Sequence, residues 1–180
     1  MPNHCVNKLT ITGPKAERER FLAGLKNDSD GKPQLMESYV PMPEPLRTIN
    51  RGFANIGEDQ VERWRTKPDG TMEAVSFQED IENLAKYGAR DWYAWANNNW
   101  GTKWGDYDHA PLIITASSIQ MRFNSAWAPV SIIKIAEQFP KLTFKLRYFE
   151  QGSGFQGSQT FQHGTLTGDW TGDYHGDLGG

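Results

Sequence analysis

Four tryptophans, Trp92, Trp95, Trp100 and Trp104, fall within thirteen residues. Indoles in such density suit a stacking or docking surface, because each combines a large apolar area with a polar N–H. Trp92 and Trp95 share the apolar side of a helical stretch and are expected in the core. Trp100 and Trp104 sit in a Gly-containing loop with Lys103 and Asp106, so Trp100, Lys103, Trp104 and Asp106 form the predicted partner-binding set. The same loop continues Asp106-Tyr107-Asp108-His109, which offers oxygen and imidazole donors for a metal or for hydrolytic chemistry. No HExxH, CxxC or EF-hand spacing supplies the convergent ligands that a metal needs, so a solvated loop is expected and no cofactor is predicted.

Other reactive residue types are poorly placed for catalysis. Cys5 falls on the apolar side of a predicted strand, and the adjacent His4 points to the opposite face because side chains alternate. Gly152-Ser153-Gly154 and Gly157 lack the lysine of a phosphate loop and fit tight turns instead. Lys8, Arg122, Lys145 and Arg147 all fall on the polar phase of predicted strands and could gather as a nucleic-acid face. Phe149 is the one aromatic in phase with them, and the RNP1 pattern of RNA-binding sheets is absent. Near the end, Gly168-Asp169-Trp170, Gly172-Asp173-Tyr174 and Gly176-Asp177-Leu178 repeat at a period of four. Glycine opposes helix there, so a disordered or weakly packed acidic tail is expected.

The elements that must position these residues follow from hydrophobic periodicity. Cys5, Leu9 and Ile11 alternate with Val6, Lys8, Thr10 and Thr12 in a half-buried strand. Gly13-Pro14 ends it, and Phe21, Leu22 and Leu25 recur at helical spacing. From residue 31 to 76 the pattern breaks around Pro41, Pro43, Pro45 and Lys67-Pro68-Asp69-Gly70, which reads as an insertion. Ile81, Leu84, Ala85, Trp92, Trp95 and Ala96 then predict one long helix between Phe77 and Asn99. Strands follow at Leu112 to Ile114 and Ile119 to Asn124. A short helix runs from Ile132 to Phe139, a strand from Leu142 to Phe149, and a hairpin from Phe155 to Phe161. The fold class is α+β, a ferredoxin-like (split β-α-β) sheet with helices on one face, an insertion after the first helix and a C-terminal hairpin. The domain spans 1–163, with residues 164–180 as a Gly/Asp-rich tail.

Composition bounds the remaining classes. One hundred and eighty residues, 37% hydrophobic and 23% charged, suit a single globular domain. A lone cysteine points to a reducing compartment, and no apolar run approaches the ~18 to 20 residues of a membrane span, so a cytoplasmic protein is expected. A net charge of −3 argues against a generally basic nucleic-acid binder but leaves room for a local patch.

Several stretches together resemble the YubB-like family of ferredoxin-like domain proteins: Asn3-His4-Cys5-Val6-Asn7-Lys8-Leu9, Pro41-Met42-Pro43-Glu44, Asn99-Trp100-Gly101-Thr102-Lys103-Trp104, Phe123-Asn124-Ser125-Ala126-Trp127-Ala128-Pro129 and Tyr148-Phe149-Glu150. The resemblance covers about residues 3 to 163, with Val130 standing where a second proline would be expected. It implies a protein carried by phages, prophages or conjugative plasmids and expressed inside a bacterium, and it brings no catalytic or ligand residues with it. The leading expectation is therefore a non-enzymatic accessory protein that binds a host or defence protein and inhibits bacterial defence. A nucleic-acid-binding module is the alternative, and a hydrolase centred on Asp106, Asp108 and His109 the remote one.

Overall fold

The computed structural model describes residues 3–52 and 62–176; residues 53–61 of the predicted insertion and 177–180 of the predicted tail lie outside them. The chain divides into two compact units, one of Met1–Pro41 with Trp100–Gly180 and one of Met42–Asn99. The second unit begins later than the predicted insertion and extends past it, taking in the whole of the predicted long helix.

The first unit opens with β1 (His4–Thr12), α1 (Lys15–Gly24) and the short α2 (Leu35–Tyr39). After the second unit it continues with β5 (Ile113–Ile114), β6 (Ser118–Ala126), α5 (Ile133–Gln138), β7 (Thr143–Glu150), β8 (Phe155–Gln162) and β9 (Thr165–Asp173). These strands form one sheet in the order β5-β6-β1-β7-β8-β9, with every neighbouring pair antiparallel. The ferredoxin-like α+β class holds, and its C-terminal end is a three-stranded meander. The predicted hairpin at 155–161 is a single strand, β8, paired on both sides. Residues 165–173, expected as a loose tail, are the edge strand β9.

Alternation sets the two faces of the sheet. Cys5, Leu9, Ile11, Ile119, Met121, Phe123, Phe144, Leu146 and Tyr148 are buried on one side. Phe21 of α1 packs there at 6.1 Å from Phe144 and 5.4 Å from Phe139, in ring contacts that favour edge-to-face geometry. Asn7 is a polar residue in this layer. Its amide donates to Cys5 O at 3.0 Å and to Ser125 Oγ at 2.8 Å, and its Oδ1 accepts from Val130 N at 3.3 Å. A proline at 130 could not make that last bond. Gly157 of β8 admits the Tyr148 ring, which crosses it to place its hydroxyl 2.7 Å from Thr171 Oγ1 on β9; a Cβ at 157 would overlap that hydroxyl.

In the second unit, a three-stranded sheet orders β2 (Ile49–Arg51), β3 (Arg63–Thr66) and β4 (Met72–Ala74), followed by α3 (Phe77–Tyr87) and α4 (Trp92–Trp100), whose last residue belongs to the first unit. The single long helix is thus two. Gly88, at φ 71°, caps α3 in the left-handed region, and Asp91 Oδ1 starts α4 by accepting from Ala94 N at 2.8 Å. Of the predicted apolar face, Trp95 and Ala96 of α4 are buried, but Ile81 and Leu84 of α3 are exposed, and α3 buries Asp80 and Asn83 instead. The cause is Arg63. Its buried guanidinium lies 3.3 Å from Asp80 Oδ1 and 2.9 Å from Asp91 Oδ2, and Arg90 Nη1 reaches Asp80 at 3.2 Å. A buried charge needs such partners more than an aliphatic stripe needs cover.

Candidate nucleic-acid interface

The face of the large sheet opposite the core layer is built in rows. Arg122 of β6 pairs with Lys8 of β1, which pairs with Arg147 of β7, then Ser158 of β8 and Trp170 of β9. One row away stand Gln120, Thr10, Lys145, Thr160 and Gly168; on the other side, Asn124, Val6, Phe149, Gln156 and Gly172. The strands therefore bring together all four of Lys8, Arg122, Lys145 and Arg147, three of them side by side. These three rows contain no carboxylate at any strand position. Asp108 stands at the edge, accepting from the Asn124 amide at 3.4 Å. Like charges at directly opposite strand positions repel, so the row concentrates positive potential on this face.

The aromatics on this face differ from the one expected. Phe149 is in phase, with the Lys8 ammonium 5.8 Å from its ring centre, but it is buried beneath Tyr174, stacked at 5.7 Å and 29°. The exposed ring is that of Trp170, 51% accessible at the far end of the basic row. It was legible in one signal: Gly168, Trp170, Gly172 and Tyr174 are all even-numbered. A period of four is also two strand periods, and it sends the glycines and aromatics to one face and Asp169, Thr171 and Asp173 to the other.

The predicted partner-binding loop comes apart. Trp100 is 5% exposed, and its indole N–H donates to Val40 O at 2.8 Å. Gly105, at φ 68°, is followed closely by that ring, since a Cβ there would stand 3.1 Å from Trp100 Cε3. Asp106 is withdrawn as well. Its two oxygens accept from Leu35 N at 2.6 Å and Met36 N at 2.7 Å, and Oδ2 lies 2.7 Å from His109 Nε2. Two glycines, Gly101 and Gly105, let the loop curl inward, so a Gly-containing segment here does not mean an exposed one. Lys103 and Trp104 stay at the surface, the Lys103 ammonium 4.9 Å from the Trp104 ring centre and Trp104 45% exposed. Trp127, absent from the predicted set, is 51% exposed with φ 73°.

The catalytic candidates are engaged otherwise. Asp106 and His109 are buried against each other, with His109 also 5.2 Å from the Phe123 ring, while Asp108 points to Asn124. Burial pushes the Cys5 thiol up to about 12, the Ser125 hydrogen bond opposing and Glu150 adding, so its reactive thiolate form is suppressed. His4 turns away from it, with Nδ1 3.0 Å from the Tyr107 hydroxyl. Among the described residues no three His, Cys, Asp or Glu side chains are grouped to hold a metal, and no helix is long and apolar enough to cross a membrane.

Residues 99–178 match a family model described as the ferredoxin-like domain in Api92-like protein. The crystal structure of the protein api92 from Yersinia pseudotuberculosis is similar to this one with a TM-score of 0.52, over 97% of this chain and 99% of that chain. At 13% identity this is a likeness of fold. No curated protein matches the chain.

Proposed function

We propose that the chain is a nucleic-acid-binding module that uses the open sheet face. The observation that carries this is the row Arg122, Lys8, Arg147, in which three cations sit at paired positions with no carboxylate in that strand row or its two neighbours. In a chain of net charge −3 such a concentration is local and selective, and phosphates are the ligands that a row of cations attracts. Binding in this reading is not accompanied by catalysis. The resemblance to YubB-like proteins supplies a setting, the cytoplasm of a bacterium carrying a phage or plasmid.

The test is fluorescence anisotropy of labelled oligonucleotides against the wild type and a Lys145→Glu/Arg147→Glu double variant over a salt series. The wild type binds with a steep salt dependence, and the variant keeps its fold but loses binding, with the log–log salt slope shallower by about one per cation removed. A wild type that binds no oligonucleotide at low salt would defeat the proposal.

A second reading keeps a protein partner, such as a host or defence protein. Trp104 and Trp127 favour it, both exposed and the latter held at a positive φ that an aromatic residue adopts at a cost of about 1–3 kcal/mol. Under that reading Trp104→Ala and Trp127→Ala abolish capture of a nuclease-resistant bacterial partner and leave oligonucleotide binding intact.

A further inference from the structure

We infer that the ligand of the open face is a single strand with a base stacked on Trp170, an inference that rests on the nucleic-acid reading above and specifies its ligand. Trp170 is half exposed in the middle of a strand, where a side chain of this size is usually covered by its neighbours. Its two same-face neighbours along β9 are Gly168 and Gly172, and its cross-strand partner is Ser158. No bulky side chain therefore stands beside the ring at these positions. A Cβ at Gly172 would lie 2.8 Å from Trp170 Cζ2, so the glycine lets the indole settle along the strand. Among the described residues β9 is the edge of the sheet, so no further strand flanks the ring on that side.

Charge leads to the same ligand. Asp169 pairs with Gln159 and Asp173 with Phe155, and alternation sends these carboxylates to the opposite face from Trp170. In the same row, Arg147 lies two strands away, a backbone separation of about 10 Å that its long side chain shortens. A nucleotide can span that gap with its base on the indole and its phosphate toward the guanidinium. Only an unpaired strand can offer a base in this way, since a duplex keeps its base faces in its own stack. Bound to a duplex, the cationic row would be used and Trp170 would not.

The experiment compares Trp170→Leu, which keeps an apolar group over Gly172 without a π face, with Trp170→Phe, which keeps a ring. Each is titrated with single strands of about twelve nucleotides, DNA and RNA in separate arms, and with the matching DNA duplex. The expected result is single-strand affinity weaker by about 5- to 100-fold in Trp170→Leu and nearer to wild type in Trp170→Phe, with duplex binding the same in all three. The arm with the larger loss identifies the sugar. Ultraviolet crosslinking of the wild type to the single strand gives a measurement independent of variant folding, and it should label the segment 165–176. Trp170→Leu binding single strands as tightly as wild type, or crosslinks confined to other segments, would overturn the stacking inference while leaving the basic face standing. Absence of any nucleic-acid binding by the wild type would remove the underlying reading itself.

Discussion

Two groups of cations in this molecule are treated in opposite ways. In the second unit Arg63 and Arg90 are buried against Asp80 and Asp91, each charge answered at 2.9 to 3.3 Å. On the open face of the large sheet Arg122, Lys8 and Arg147 are aligned across three strands with no acid in their rows. The buried group holds an architecture together, since removing one member strands another in a medium of low polarity. The aligned group has no carboxylate at the strand positions of its own rows, although the Lys8 ammonium lies 5.8 Å from the Phe149 ring centre, and under the proposed reading it serves a ligand. Arginine content alone would not separate the two; the rows around each do.

The largest effect should come from the buried group. Asp91→Ala removes the Arg63 partner and the Ala94 cap together, and is expected to cost about 3–5 kcal/mol, measured as a shift in the urea midpoint. A midpoint that hardly moves would mean that Arg63 is satisfied without it. A smaller effect, confined to acid, is expected at Glu150. Burial pushes its carboxyl up, but the Ser153 hydroxyl and N–H, the Gly152 N–H and the Asn3 amide outweigh this and hold it below its ordinary 4.5. A depressed value in the folded state gives stability that is fully present above pH 4.5 and is lost as pH falls through the folded value. Glu150→Gln should therefore flatten part of the fall in melting temperature between about pH 5 and about pH 3, and an unchanged acid profile would assign that fall to other carboxylates. The smallest effect has the opposite sign. Arg147→Gln takes one charge out of the aligned row, opposite Lys8, and should raise stability by about 0.2–1 kcal/mol while weakening oligonucleotide binding. A loss of stability would show that Arg147 serves the fold and would erase the contrast between the two groups.

The sheet was largely legible because its signal is local. Cys5, Leu9 and Ile11, or Phe144 and Leu146, alternate with polar residues, and the phases derived from them put Lys8, Arg122, Lys145 and Arg147 on one face, as found. What failed depended on partners distant in sequence. Ile81 and Leu84 have helical spacing, but which side of α3 turns inward was decided by Arg63, on a strand whose pairing no periodicity announces. Trp100 lies next to glycines and reads as loop surface, yet its indole is claimed by Val40, sixty residues earlier. The β9 segment was misjudged for another reason: its glycines were weighed for the helix they forbid and not for the rings they admit.

That bond from Trp100 to Val40 has a consequence for how the chain could be rebuilt. It joins the last residues before the second unit to the first residue after it, so the two cut ends of the large-sheet unit are held within roughly three residues' reach of each other. Closing a sixty-residue loop costs conformational entropy that a six-residue loop does not, a difference of about 2 kcal/mol. Replacing residues 42–99 by a short Gly/Ser linker would keep both partners of the clasp and relieve that cost, leaving a minimal sheet protein that still carries the whole of the basic face and Trp170.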